Sequence, residues 1–79
     1  MSVAANMARA HGDWMRLKRA LISRRKVTHA SQQDFADRIG ISRETLSRWE
    51  TGKQEPSVEQ AFQWAAAAGV MLTVLGGDV

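Results

Sequence analysis

In the stretch SQQDFADRIGISRETLSRWETGK, Ser31 to Lys53, the side chains with chemistry to offer are Arg43, Glu44, Ser47 and Arg48. Their spacing gathers them on the outer side of one short helix, while Leu46 and Trp49, three apart, take the inner side. These side chains hydrogen-bond to base edges: arginine spans two acceptors of guanine, glutamate accepts from the cytosine amino group, and serine serves either partner. A helix fits the major groove of B-DNA with its N-terminal residues toward the bases, which makes Arg43, Glu44 and Ser47 the candidate base readers. Helix N-termini at Gln32 and Ser42 offer unpaired backbone N–H groups and a positive dipole end to phosphates. The competing account is a solvated helix face, with Arg43 and Arg48 in surface pairs with Glu44 or Glu50 that contribute only ~0.3–0.5 kcal/mol each. Glu44 also suits a role in repelling the wrong base sequence.

Two short helices and a tight turn must position these residues. Ser31, with Asp34 three residues on, forms a capping box that opens a helix over Gln32 to Arg38; Gly40 supplies the turn, and Ile41 points inward. Ser42 caps the next helix, which runs to Glu50 or Thr51 and ends at Gly52. Upstream, residues 1–12 show no clear period and read as a mobile arm or frayed turn. Asp13 then caps a helix to Lys26 or Val27 with Trp14, Leu17 and Leu21 as its apolar stripe. Downstream, Ser57 and Gln60 form a second capping box, and the helix they open carries Val58, Ala61, Phe62 and Ala65 on one face until Gly69 stops it. Trp64 lies off that stripe, which assigns it to a dimer or partner surface, with partial burial as the alternative. Val70 to Leu75, VMLTVL, reads as a strand with two apolar faces, and a lone strand needs a partner. The expected organisation is an arm over 1–12, a helix-turn-helix domain over 13–69 and a dimerisation strand and tail over 70–79.

Composition narrows the function classes. A chain of 79 residues, 44% hydrophobic and 24% charged with three tryptophans, supports one small folded domain rather than a disordered tail. Its net charge of +3 is lopsided: up to Ala30 there are seven Lys/Arg against the single acid Asp13, which invites a polyanion. The absence of cysteine excludes disulfides and Cys-based zinc sites and suits a reducing, cytoplasmic compartment. His11 and His29 have no second ligand at helical spacing, so no metal is expected. Without a cysteine nucleophile, a Gly-rich phosphate loop or paired carboxylates, neither an enzyme nor a cofactor is expected. The most apolar run, Trp64 to Gly77, is interrupted by Gly69 and falls short of the ~20 residues of a membrane span, and no secretory signal is visible.

The segment SQQDFADRIGISRETLSRWETGKQEPS resembles the helix-turn-helix of the Cro and phage-repressor (XRE-type) family, widespread among bacterial regulators. The resemblance rests on Gln32 after the cap, Ala36, the Gly40-Ile41 turn, Ser42, Leu46, the WETGK ending and Pro56-Ser57. It implies an all-α, lambda-repressor-like bundle of four to five helices that binds double-stranded DNA at the nucleoid. It further implies that Gln32 contacts phosphate and buttresses the recognition helix, and that Arg43, Glu44, Ser47 and Arg48 meet bases or nearby phosphates. Thr45 is implied to touch a phosphate or a thymine methyl and Lys53 the DNA backbone, with Gln33 and Ser42 beside them, and Glu50 is implied as the largely buried partner of Arg25. The sequence departs from the pattern at His29, where glycine is usual, and at Trp49, where a smaller aliphatic is commoner. The ending AAAAGVMLTVL resembles HipB-like antitoxins, whose strand pairs with its twofold mate; Val70, Leu72 and Val74 would then join two copies.

Three functions follow in order: a homodimeric, sequence-specific regulator, expected to repress a palindromic operator; an antitoxin that represses its own operon and binds a toxin kinase; and a protein-interaction module without specific DNA binding.

Overall fold

A computed structural model describes residues 2–70. Four helices follow one another: α1 over Val3–Val27, α2 over Gln32–Ile39, α3 over Arg43–Thr51 and α4 over Val58–Ala68. α2 packs on both α3 and α4, and α1 closes the bundle against α4. The core is Leu21 from α1, Phe35, Ala36 and Ile39 from α2, Leu46 and Trp49 from α3, and Trp64, Ala65 and Ala68 from α4.

Each boundary has a local cause. The hydroxyls of Ser31, Ser42 and Ser57 each accept from a backbone N–H three residues on, and at Ser31 and Ser57 the side chains of Asp34 and Gln60 reach back to complete capping boxes. Gly40 and Gly52 close α2 and α3 at φ +88° and +79°, in the left-handed region where a side chain would clash with the backbone. His29 takes the same kind of position, φ +58°, without being glycine. There the N–H of Ala30 donates to Arg25 O and that of His29 to Lys26 O, a Schellman turn ending α1. The turn at His29 is therefore made in a conformation that favours glycine, at a steric cost of about 1–2 kcal/mol.

Two expectations need correction. The helix expected to start at Asp13 starts at Val3, capped by Ser2, so residues 3–12 are not an irregular arm. The reason is propensity: the alanines at 4, 5, 8 and 10, with Met7 and Arg9, favour helix strongly enough to outweigh Gly12. Trp64, assigned to a dimer or partner surface, has no exposed area and lies in the monomer core against Trp49, with ring centroids 5.5 Å apart. Val58 and Phe62 are the large hydrophobic residues of α4 left in solvent. The inward face of α4 is thus rotated from the Val58–Phe62 stripe because the two indoles fill the space between α3 and α4. Their own N–H groups have no hydrogen-bond partner. The bundle has four helices, the lower of the expected numbers, and no strand occurs among the described residues. The expected strand lies outside them except for Val70, which leans on the core and donates its N–H to Ala65 O as the end of the α4 cap. Leu72 and Val74 lie outside the described residues.

Candidate nucleic-acid interface

α3 is short, and its inner side supplies Leu46 and Trp49 to the core with no exposed area. That anchoring leaves Arg43, Glu44 and Arg48 exposed and Ser47 half-buried on the opposite side. Together with Thr51 and Lys53 they line a shallow open concavity of about 320 Å³. The four outward residues read from the sequence are thus brought to one surface, and Lys53 joins them from the loop after α3. Arg43 lies 3.4 Å from Glu44, both largely solvent-exposed, a weak pair that leaves the guanidinium free to exchange partners. Thr51 was not singled out by sequence reasoning. Its position four after Ser47 was the available signal, although its hydroxyl donates back to Ser47 O, 2.8 Å, within the helix.

Behind α3 stands a buried ionic anchor. Arg25 of α1 meets Glu50 of α3 through two parallel hydrogen bonds, Nε to Oε2 and Nη2 to Oε1, each 2.8 Å. Gln32 at the start of α2 donates from Nε2 to Oε1 of the same carboxylate, 3.0 Å, and Arg25 Nη1 donates to Ala30 O. The Glu50 side chain is 7% exposed. Arg25 therefore ties its own helix and the α1–α2 connection to the back of α3, and Gln32 adds α2 through the same carboxylate. Its hydrogen bonds to Glu50 outweigh desolvation and hold its pKa above the ordinary arginine value. Since one amide hydrogen of Gln32 is committed to Glu50, its side chain acts here as a buttress between α2 and α3.

The remaining expected contacts serve local structure as well. Gln33 is exposed and donates to Asp37 one turn on, and the Ser42 hydroxyl lies 3.0 Å from that of the half-buried Thr45 while it caps α3.

A second clasp holds the loop that carries Lys53. Lys18 of α1 is almost fully buried and donates from Nζ to Glu55 Oε1, 2.9 Å, and the Trp14 indole N–H donates to the other oxygen. The Lys18 ammonium also lies 5.8 Å from the centre of the Trp14 ring. The hydrogen bond from Lys18, more than that from Trp14, holds the Glu55 carboxyl below its ordinary value. Neither Lys18 nor Glu55 was marked by the sequence, because residues 37 apart with unremarkable neighbours carry no local signal.

The family model described as Helix-turn-helix, HTH_3, matches residues 30–75, which takes in α2, the turn, α3 and α4. The chain belongs to the helix-turn-helix family of transcription regulators, which are not enzymes. It is similar to an uncharacterized HTH-type transcriptional regulator, MJ0272, of Methanocaldococcus jannaschii, at 36% identity over 71% of this chain and 85% of that protein. It is also similar to the cryptic phage CTXphi transcriptional repressor RstR of Vibrio cholerae, at 32% identity over 80% of this chain and 56% of RstR. No solved structure gives a significant match. In this helix-turn-helix protein, α2 and α3 are the paired helices and Gly40 the turn. No helix among the described residues is long and apolar enough to cross a membrane.

Proposed function

We propose that this helix-turn-helix protein is a sequence-specific regulator that binds a palindromic DNA operator as a homodimer and represses transcription by occupying it. The observation that carries the reading is the outer face of α3. Arg43, Glu44, Ser47 and Arg48 stand together on a helix whose other side is locked into the core and whose Glu50 is clamped by Arg25 and Gln32. A rigid helix presenting polar side chains near its N-terminus suits insertion in the major groove. Arg43, Glu44 and Ser47 read bases; Lys53, Gln33, Arg48, Thr45 and the N-termini of α2 and α3 meet the flanking phosphates and fix the register. The repressor similar over four-fifths of this chain supports the sign of regulation.

Fluorescence anisotropy tests it, using the DNA upstream of the protein's own gene and a scrambled duplex across a salt series. A preference of about 10³-fold, with log affinity falling steeply in log salt, is expected. Equal, weak binding to both duplexes would refute it and leave the interaction-module reading. The antitoxin reading rests on the stretch after Val70, and no observation among the described residues favours it.

A further inference from the structure

The first half of α1 has nothing to do in a single copy. Residues 3–11 are all exposed, and Val3 and Met7, one turn apart, are 73% and 66% exposed. They are not a random pair. Val3, Met7, Ala10, Trp14, Leu17 and Leu21 follow spacings of four and three in alternation, so the stripe that reaches the core at Leu21 continues along the helix beyond the domain.

At the foot of this projecting half lies an open groove of about 760 Å³. Its walls are His11, Trp14 and Met15 of α1 on one side and Pro56, Val58 and Ala61 on the other. Val58 at its edge is 77% exposed, and Phe62, one turn along α4, is 46% exposed. Four of the five large hydrophobics exposed among the described residues thus belong either to the projecting helix or to the α4 face beside the groove. The helix cannot fill its own groove: α1 is continuous, and Val3 stands about 12 Å beyond His11 along its axis.

We propose that a second copy of this chain covers the groove, each protomer laying Val3 and Met7 of α1 against Val58 and Phe62 of the other. The chain carries both halves of the contact and cannot join them within itself. Twofold exchange satisfies both at once and closes, since residue i meets j and j meets i. Charge agrees with this occupant. Residues 2–12 carry Arg9 and His11 and no acid, while α4, which bears Val58 and Phe62, carries Glu59 in its first turn and no basic residue. The pairing deepens the homodimer element of the proposed function by naming its contact surface.

Sedimentation velocity without DNA tests it, so failure here is separate from failure to bind an operator. Met7→Glu and Phe62→Glu, both at solvent-exposed positions, are each expected to raise the dimer dissociation constant at least tenfold while the circular dichroism spectrum stays helical. Arg9→Glu and Glu59→Arg are each expected to weaken the dimer and, combined in one chain, to restore it. A protein that is monomeric at every concentration would overturn the proposal, as would a dimer indifferent to both substitutions. A dimer sensitive to Met7→Glu but not to Phe62→Glu would mean that the projecting helices pair with each other, and would overturn the groove as the seat.

Discussion

At the scale of single residues, the readout face and its anchor make separable demands. Arg43 is exposed and its polar partner among the described residues is the equally exposed Glu44, so Arg43→Ala should leave the fold intact. It should weaken binding to the operator by about 1–3 kcal/mol and hardly change binding to random duplex, as parallel anisotropy titrations would show. An equal loss on both would reduce Arg43 to a phosphate contact. Arg25 behaves oppositely. Removing it strands the buried Glu50 carboxylate with Gln32 as its remaining side-chain partner, and Arg25→Ala should cost about 3–5 kcal/mol in urea denaturation. The paired change Arg25→Met with Glu50→Leu should recover most of that loss, because an apolar pair leaves no buried charge. His29 offers a gain. With φ at +58° it bears a strain that glycine does not, and His29→Gly should stabilise by up to about 1 kcal/mol once glycine's greater loss of backbone freedom offsets part of the relief, read as a raised melting temperature. The sequence had marked this position as one where glycine is usual; only the backbone angle shows why.

At the scale of elements, the loop from Gly52 to Ser57 is held to α1 by Glu55, and that clasp is pH-sensitive. Lys18 and Trp14 keep the folded-state carboxyl below its ordinary value, so the unfolded chain binds the proton more readily. The contribution of Glu55 to stability is complete at neutral pH. It fades as pH falls through the ordinary carboxylate range, from about pH 5 downward, toward the lowered folded value. Glu55→Gln should therefore melt below the parent protein at pH 7, and the gap should narrow by pH 3. A gap of constant size across that range would show that the charge is not what matters. The helices themselves were largely legible: the serine caps and the glycines at 40, 52 and 69 are local signals that act through their own backbone neighbours. The start of α1 lies upstream of the Asp13 capping signal because alanine-rich propensity carries the helix back to its cap at Ser2.

At the scale of the whole molecule, the proposed homodimer requires that two α3 helices share one face of DNA. The apolar stretch after Val70 remains a proposed pairing strand beyond the described residues, and Leu72→Asp is the variant that tests it. If that strand joins two copies, Leu72→Asp should shift sedimentation toward monomer. An unchanged dimer would remove the strand and leave the exchange of α1 as the contact between copies. Either arrangement must set the half-sites about one helical turn, ~34 Å, apart for both α3 helices to engage one operator. A domain of this size buries too little surface to be more than marginally stable alone, so the proposed second copy would contribute to folding as well as to address.

By itself the sequence determined the four helical segments between 13 and 69, the Gly40 turn and the polar outer face of α3, because caps, turn glycines and helical period act over a few residues. The resemblance to known repressors paired Arg25 with Glu50 across 25 positions before any coordinates did. Tertiary structure alone decided that Trp64 lies inside and Val58 and Phe62 outside, because the rotation of α4 depends on how its indole meets that of Trp49. It alone joined Lys18 and Trp14 to Glu55, and left one end of α1 standing free above an open groove. Such contacts between distant positions follow from how the elements pack, and no local pattern of residue types encodes them.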